Sequence, residues 1–323
     1  MITFLRRAAL ALTALALTAL APGALLAQSE AYAPLILRLP ASARALSMGN
    51  VGIASRDDDV LFYNPAQLVA ARGTSLSVEQ FSPSARAGAL SSVSRLNTGG
   101  IAVGATIAEF ESPGFVYPVS RGDMLGRGSN IGTSASLVLG IAQAAKGTRI
   151  GGSVKYVEER IANTRNNRGL LDLGVARDVF GYAVGLSVQN IGKSFAPTPL
   201  IHPSLGPADE PIPGSTFAPS TMPLRTTLGA GRAIPAGPFD VFATGAVSVL
   251  RDGFVTPAGG AEIGYSWLDG YNIILRGGAR RPERGEGPMT AGAGFIMDRL
   301  SIDYALEMLS GSRVGHRVGL RVR

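Results

Sequence analysis

The sequence predicts an all-β fold: a transmembrane antiparallel β-barrel of about 14 strands with a short N-terminal lumenal plug segment. Segments of alternating apolar and polar residues follow one another from residue 75 to the end of the chain. The connections between them are alternately short and long. The chain is 46% hydrophobic and 16% charged, yet beyond residue 30 it has no apolar run of the ~18 residues that indicate a spanning helix.

Alternation with a period of two identifies the strands. Within residues 149–160, Ile150 and Val154 fall on one face, and Ser153 and Lys155 fall on the other. In a membrane barrel the apolar face meets lipid and the polar face lines the lumen. The same pattern predicts strands over 75–80, 85–96, 99–110, 129–143, 149–162, 170–179, 182–192, 224–234, 238–250, 256–268, 272–281, 289–297, 300–308 and 315–323.

The lengths of the connections support a barrel. Alternate connections have two to five residues, whereas those at the opposite end have between four and 31. Outer-membrane barrels have short periplasmic turns, longer outer loops and an even number of strands. Phe110, Trp267 and Tyr271 lie near strand ends, which predicts either places in an interfacial aromatic belt or ordinary strand positions.

Composition excludes several other classes of protein. The chain has 323 residues, of which 42 are glycine and none is cysteine, so a disulfide framework is excluded. Its hydrophobic content excludes intrinsic disorder as the main state. The net charge is +7, but lysine and arginine are scattered rather than clustered, so no nucleic-acid partner is predicted.

Residues 1–27 have the features of a secretory signal peptide. Arg6 and Arg7 form the basic start, an apolar stretch follows over 8–20, and Ala27 provides a small residue for cleavage. A membrane anchor is the alternative, for which the stretch is short. The prediction is export to the bacterial outer membrane, with outer-membrane lipid as a partner.

Residues 28–74 do not alternate. They are expected to form the lumenal plug segment, between the signal peptide and a barrel over 75–323. Asn64 before Pro65 predicts a short helix that begins at Pro65, because Asn is a favoured N-cap and Pro suits the first helical position.

The plug segment also carries three adjacent carboxylates, Asp57, Asp58 and Asp59. One interpretation is a Ca²⁺ or substrate site, and the other is that these acids pair with bases of the lumen. Calcium sites use spaced oxygen ligands, which three consecutive Asp residues do not supply, so pairing is favoured and no metal site is predicted. The candidate bases are Lys155, Arg276 and Arg317.

The stretch from Ala43 to Leu68 reads ARALSMGNVGIASRDDDVLFYNPAQL and resembles the opening of the PorV/PorQ family, within the FadL-like barrel superfamily. That family typically opens with a Gly-Ala-Arg-Ala-x-x-Met-Gly-like stretch, then acidic residues, then Tyr/Trp-Asn-Pro-Ala-Gly-Leu. Gln67 stands where the family commonly has Gly, and Arg323 ends the chain where barrel proteins usually end in Phe or Trp. The matching residues are Arg44, Met48, Gly49, Asp57, Asp58, Asn64, Pro65, Ala66 and Leu68.

The resemblance implies one of two roles, and a third interpretation stands beside them. PorV-like proteins act in type IX secretion, so the leading expectation is binding of exported protein cargo or secretion components. FadL-like proteins take hydrophobic molecules through the outer membrane, and a channel for hydrophobic small molecules is the alternative. A structural or adhesive barrel without transport is the third interpretation.

Two long connections are candidates for contacts with a partner. Residues 114–128 contain Phe115, Val116 and Tyr117, which would form an exposed apolar cluster for a protein partner or a hydrophobic ligand. Residues 193–223 are rich in proline, which predicts extended polyproline structure in either a docking loop or a passive one.

The sequence carries no recognisable nucleophile, phosphate-binding or zinc motif. Its two histidines are His202, in the proline-rich connection, and His316, which is predicted to face lipid or the interface from the last strand. The sequence therefore predicts no catalytic residue, no cofactor and no metal.

Overall fold

The chain folds into a closed antiparallel β-barrel of 14 strands, which confirms the predicted fold class. The computed structural model describes residues 34–82, 84–113, 129–161, 164–194, 199–202, 210–216, 222–283, 285–310 and 313–323. The barrel strands are β1 (Gly73–Ser82), β2 (Ala85–Arg95), β3 (Gly99–Pro113), β4 (Ser129–Ala145), β5 (Thr148–Ile161), β6 (Thr164–Val179), β7 (Tyr182–Ile191), β10 (Arg225–Ala236), β11 (Phe239–Leu250), β12 (Val255–Leu268), β13 (Tyr271–Arg280), β14 (Glu286–Met297), β15 (Leu300–Leu309) and β16 (Arg313–Val322). Strands adjacent in the barrel are antiparallel, and β1 pairs with β16 to close it.

The two remaining strands, β8 (Pro199–His202) and β9 (Glu210–Thr216), form a separate two-stranded sheet inside the connection from β7 to β10. Their pairing differs from the polyproline structure expected for the whole proline-rich connection. A paired ladder satisfies backbone groups that a polyproline helix leaves to water. The prolines are accommodated because such a hairpin has edges on both sides.

The connections at the two ends of the barrel differ in length. At the short-turn end two or three residues join consecutive strands, over 96–98, 146–147, 180–181, 237–238, 269–270 and 298–299. The opposite, long-loop end carries the connection with β8 and β9. The first barrel strand begins and the last one ends at the short-turn end. This is the arrangement expected of an outer-membrane barrel.

Side chains of the barrel wall alternate between an apolar outside and a polar inside. On the outside, Leu137, Ile141 and Leu275 are each at least 60% exposed. On the inside, Asp172 and Arg317 are completely buried. A water-soluble barrel would show the opposite pattern, so the outer surface suits contact with hydrocarbon. Among the described residues, no helix is both long and apolar enough to cross a membrane.

Aromatic side chains gather on the outer face at the short-turn end. Trp267 lies with its ring centroid 6.0 Å from that of Tyr271 and stacks on Phe295 at 5.8 Å. Amphipathic rings in this position suit a membrane–water interface. Phe110, for which the sequence left a belt place or an ordinary strand position open, is not part of this aromatic cluster. Its ring packs over Gly132 on the lumen face, where the missing Cβ leaves room for it.

Residues 34–72 lie inside the barrel, and we call them the lumenal segment. Its helix α1 (Ala43–Ser47) contacts β13–β16, whereas its 3₁₀ helices over Asp58–Phe62 and Pro65–Val69 contact β1–β3 and β2–β6. A further 3₁₀ turn spans Leu35–Leu37. Because its parts touch strands on all sides, the segment fills the lumen. The structure thus describes residues 34 onward of the predicted plug, and the predicted signal peptide lies outside the described residues.

Replacing Leu137, at the middle of β4 on the outer face, by Arg should destabilise the barrel in a bilayer by about 2–4 kcal/mol, since a charge at the midplane loses its hydration. The matched control is Leu96→Arg, because Leu96 is also about half exposed but lies in a short turn. Urea unfolding in lipid vesicles, followed by heat-modifiable gel mobility, measures both. Equal effects of the two substitutions would contradict the assignment of the outer face to lipid.

Candidate functional site

The Asn-Pro-Ala motif caps a short helix and bonds the lumenal segment to one strand of the wall. Asn64 Oδ1 accepts a hydrogen bond from the backbone N–H of Ala66 at 3.1 Å, and Pro65 occupies the first turn. Asn64 Nδ2 donates to the carbonyl oxygens of Ile53 and Val175, each at 3.4 Å. The helix that the sequence places at Pro65 therefore exists as a 3₁₀ helix, and its cap also joins the segment to β6.

Inward glycines let this motif lie directly against the wall. A Cβ at Gly151 would come within 2.5 Å of the carbonyl group of Pro65, and one at Gly174 would come within 2.0 Å of Asn64 Oδ1. No L-side chain fits at such distances. Alternation alone does not distinguish these strand glycines from others. We call such positions glycine seats, because the backbone of the lumenal segment packs directly against them.

A second pair of glycine seats, Gly260 and Gly278, packs against Met48 and Gly49. A Cβ at Gly278 would lie 2.2 Å from the backbone nitrogen of Gly49, and one at Gly260 would lie 2.6 Å from Met48 Cα. Gly49 itself has φ +76°, and its N–H donates to Thr290 Oγ1 at 2.9 Å. A side chain at position 49 would be strained by this backbone conformation and would also collide with the carbonyl of Ala279.

An apolar cluster fastens the other half of the segment. Leu68 is completely buried, as are Val60 and Leu61 of the preceding 3₁₀ helix. They pack against Val93 and Val138 of the wall. Burying each such aliphatic side chain contributes about 1.5–3 kcal/mol.

Six charged side chains form a closed ring of ion pairs in which arginines and carboxylates alternate. Two come from the lumenal segment and four from β12, β13, β15 and β16. The nitrogen–oxygen distances around the ring run from 2.5 to 2.9 Å. Arg323, just after β16, also donates to Asp57. In order, the members of this ion-pair ring are Arg44, Asp57, Arg321, Asp303, Arg276 and Glu262.

The partners of the acidic tripeptide differ from those considered in the sequence. Lys155 pairs with Asp172 at 2.8 Å, and Arg317 pairs with Glu79, both within the barrel wall. Arg276 is a member of the ion-pair ring but contacts wall carboxylates instead of the tripeptide. Asp57 of the tripeptide instead pairs with Arg321, at the end of β16, and with Arg323, just after it.

The three adjacent carboxyls have unequal environments. Burial opposes ionisation of Asp57, but the guanidinium groups of Arg321, Arg44 and Arg323 outweigh it and hold the pKa of Asp57 well below its usual range. For Asp58, burial and then the charge of Asp59 raise the pKa to about 7. Among the described residues no cluster of His, Cys, Asp or Glu side chains could hold a metal ion.

Near the long-loop end, the start of the lumenal segment occupies an apolar pocket. Ile36 is buried there, with Leu37 and Leu39 packed against the same wall. Most buried wall residues of the lumen are polar or charged, and this pocket is one of the apolar regions of the wall, another being the cluster around Val93 and Val138 that covers Leu68. The wall of the pocket consists of Ala87, Ala108, Val157, Leu170 and Met222.

A cavity of about 80 Å³ remains between the lumenal segment and the wall. It is lined mainly by polar groups, among them Thr227, Ser248, Thr256 and Arg280, with Leu37 at its apolar side. A benzene-sized ligand fits an apolar cavity of ~150 Å³. This cavity is therefore too small for such a molecule while residues 35–39 stay in place.

The outer-loop candidates Phe115, Val116 and Tyr117 lie outside the described residues. His202 lies in β8. His316 is on the outer face of β16 and its Nδ1 hydrogen-bonds Tyr304 Oη at 2.7 Å, so it is turned away from the lumen.

Comparison with known proteins finds the same fold among membrane channels. A scan against protein-family models and a search of curated proteins gave no match. The Pseudomonas putida toluene transporter TodX has a TM-score of 0.56 and 13% identity, covering 91% of this chain and 98% of that one. The Ralstonia pickettii toluene transporter TbuX has a TM-score of 0.54 and 12% identity, covering 89% and 100%. A Pseudomonas aeruginosa FadL homologue has a TM-score of 0.53 and 11% identity, covering 87% and 97%.

This chain has the fold of those channels. The comparisons agree with the FadL-like part of the sequence resemblance, whereas none of these structures bears the name PorV or PorQ. The narrower family assignment thus rests on the motif alone.

Gly151→Ala should destabilise the protein by about 1–3 kcal/mol, because the added methyl group forces the Pro65 backbone away from the wall. Gly152→Ala is the matched control, since a Cβ at this neighbouring outward position meets other atoms only beyond 3.5 Å. The midpoint of urea unfolding measures both. If Gly152→Ala were as unstable as Gly151→Ala, close packing of the Pro65 backbone on Gly151 would be refuted as the cause.

Asp57→Asn should release the lumenal segment, because it leaves Arg44, Arg321 and Arg323 facing one another. Breaking buried ion pairs from one side costs about 3–5 kcal/mol, so tryptic cleavage after Arg44 should accelerate roughly a hundredfold or more. Asp178→Asn serves as the control, because Asp178 is half exposed in its pairs with Arg56 and Arg149. An unchanged cleavage rate in Asp57→Asn would show that the ring does not hold the segment.

Proposed function

We propose that the protein is a non-enzymatic outer-membrane channel for hydrophobic small molecules, closed in this conformation by its lumenal segment. The observation that carries the proposal is the apolar pocket near the long-loop end, where Ile36, Leu37 and Leu39 lie against apolar wall residues. The apolar region around Val93 and Val138 is covered by Leu61 and Leu68 of the firmly held part of the lumenal segment, so this pocket is the better place for a hydrophobic molecule to be buried.

The position of the pocket suits a molecule that arrives from outside the cell. In outer-membrane barrels the long loops face outward and the short turns face the periplasm. Val157 and Leu170 lie in the halves of β5 and β6 nearer the long-loop end. A molecule entering between the loops would meet the pocket before it reached the ion-pair ring.

Replacement of residues 35–39 by a ligand in the apolar pocket is energetically feasible. Ile36 and its neighbours contribute burial of about 1.5–3 kcal/mol per side chain, which a small hydrophobic ligand can replace. The ligand would also have to break polar contacts, since the backbone N–H of Leu35 donates to Glu159 Oε1 at 3.0 Å and Arg38 Nε lies 3.8 Å from Glu283 Oε2. The seats and the ion-pair ring begin only after residue 40, so residues 35–39 can leave while the rest of the segment stays docked.

The comparisons support this role over the one that the PorV/PorQ resemblance favours. Two of the proteins with the same fold are named as toluene transporters. Binding of exported protein cargo rests on the sequence motif, and no contact among the described residues supports it. The outer-membrane location is supported by the apolar outer face, the aromatic cluster and the unequal ends of the barrel.

Uptake of radiolabelled naphthalene by cells that express the protein in their outer membrane tests the proposal. Uptake should exceed that of cells without the protein. Val157→Thr adds a hydroxyl to the apolar pocket at a cost of about 1 kcal/mol or more and should reduce uptake about fivefold. Ile36→Ser weakens self-occupancy of the pocket and should raise uptake, since the binding-competent fraction increases.

The control for the wall variant is Val154→Thr, on the same strand but on the outer face. It should leave uptake unchanged. Uptake equal to that of cells without the protein, or equal losses from the two valine variants, would refute the channel. In that case stoichiometric co-purification of exported proteins would favour the secretion role.

A further inference from the structure

The lumenal segment carries a buried carboxyl that its surroundings do not neutralise. Asp58 is completely buried, and neither of its side-chain oxygens has a hydrogen-bond partner among the described residues. Its neighbours Asp57 and Asp59 are also buried. A buried carboxylate without a partner is costly, so such a group tends to hold a proton.

The groups around Asp58 do not supply a counter-charge of its own. From β16, Arg321 is already bonded to Asp57 and Asp303. From β2, the hydroxyl of Ser91 donates to the backbone carbonyl of Asp58 and not to its carboxyl. On the lumen-side face of β2 the one charged residue is Arg95, which is exposed at the short-turn end of the strand. The inward face of β3 and the 3₁₀ helix over Pro65–Val69 carry no charged side chain, and the only inward charge of β1 is Glu79, which pairs with Arg317.

The net charge of the ion-pair ring together with Arg323, Asp58 and Asp59 also indicates a bound proton. The ion-pair ring is neutral, with three arginines and three carboxylates. Arg323 adds one positive charge, which balances only one of the two remaining carboxyls, Asp58 and Asp59. Burial and the charge of Asp57 raise the pKa of Asp59 as well, but its carboxyl accepts a hydrogen bond from Ser42, whereas that of Asp58 has no partner among the described residues. This set of groups is neutral when one of these two carboxyls holds a proton, and the missing hydrogen-bond partner assigns that proton to Asp58.

We propose that the lumenal segment is a proton-dependent latch, in which Asp58 binds a proton when the segment docks in the barrel and loses it when the segment leaves. The latch therefore holds more firmly in acidic medium and opens more readily as the pH rises. This inference does not depend on which molecule the barrel carries, because it concerns the docking of the segment alone.

The direction follows from the two states of Asp58. Out of the lumen, an aspartate has the ordinary pKa of 3.8, whereas in the docked segment the pKa of Asp58 is raised to about 7. Docking therefore takes up a proton between these values and weakens as the pH rises through that interval. Asp57 acts in the opposite sense, but only below its ordinary range, because its pKa is lowered in the docked segment.

The absence of native cysteine permits a direct test. Ile53 is 2% exposed in the docked segment, so the thiol of Ile53→Cys should react with a water-soluble maleimide only after the segment leaves. Ser84→Cys, at an exposed position of the long-loop end, gives the intrinsic reaction rate at each pH. The ratio of the two rates reports the undocked fraction independently of thiol ionisation.

In otherwise unchanged protein, the ratio should rise up to about tenfold per pH unit between about pH 5 and about pH 7 and level off above, as one-proton linkage requires. Asp58→Asn should remove most of this rise, changing the ratio less than about twofold over the same interval. Asp59→Asn is the matched control, since it removes the neighbouring carboxyl of the same tripeptide, and it should keep the rise.

A flat profile in the unchanged protein would overturn the proposal, as would a rise that persists in Asp58→Asn or one that only Asp59→Asn abolishes. Heat-modifiable mobility verifies that each variant has a closed barrel. If Asp58→Asn does not fold, infrared spectra of the unchanged protein decide the question. A protonated carboxyl band should disappear with the same midpoint as the cysteine profile, and the absence of such a band refutes the latch.

Discussion

The requirement that governs this structure is that backbone N–H and C=O groups exposed to hydrocarbon be hydrogen-bonded within the protein. Pairing of β1 with β16 meets it by removing the last sheet edge. Side chains reinforce the closure from the lumen, where Arg317 of β16 donates to Glu79 and to Ser77 of β1. The closing strand also supplies Arg321 to the ion-pair ring. Closure of the barrel and docking of the lumenal segment are thereby linked through one strand.

A closed barrel of this size encloses a space that its own wall cannot fill. The lumenal segment fills it by two kinds of contact that suit a polar interior. Its backbone approaches the wall at inward glycines, of which Gly151 and Gly278 are examples. Its charged groups, Arg44 and Asp57, add a second partner to Glu262 and Arg321 of the wall and thereby close the ion-pair ring. Because buried charges are costly when one partner is missing, these pairs fix the position of the segment more than they add to stability.

The segment has two parts that differ in how firmly they are held. Residues 43–69 are held by the glycine seats, the apolar cluster around Leu68 and the ion-pair ring. Residues 35–39 are held by apolar burial, which a hydrophobic ligand can replace, and by polar contacts from Leu35 to Glu159 and from Arg38 to Glu283. In the proposed channel, exchange at the second part and proton loss at the first are separate ways to move the same segment. The segment can thus admit a ligand locally or leave the lumen as a whole.

Most of the wall could be predicted from the sequence. Alternation over residues such as Ile150 to Tyr156 identifies strands one at a time, because the period of two is a local property of the backbone. Connection lengths then fix the strand parity and the two ends. The Asn-Pro-Ala helix start is equally local, since an N-cap and a first-turn proline act within three residues. For Phe110 the sequence left a belt place and an ordinary strand position open, and the structure decided for the second, with its ring over Gly132 in the lumen.

What the sequence by itself determined is therefore the class of fold, the strands and the local form of the lumenal segment, all of which depend on near neighbours in the chain. Only the tertiary structure decided which charges meet. Asp57 lies 264 residues from Arg321 in the chain, and alternation places Arg321 on the lumen face without giving its height in the barrel. Which glycines are seats was decided in the same way, since a glycine's role here depends on another part of the chain that comes within 3 Å of it. Close packing across the lumen exists only in the closed barrel, so no local sequence pattern predicts it.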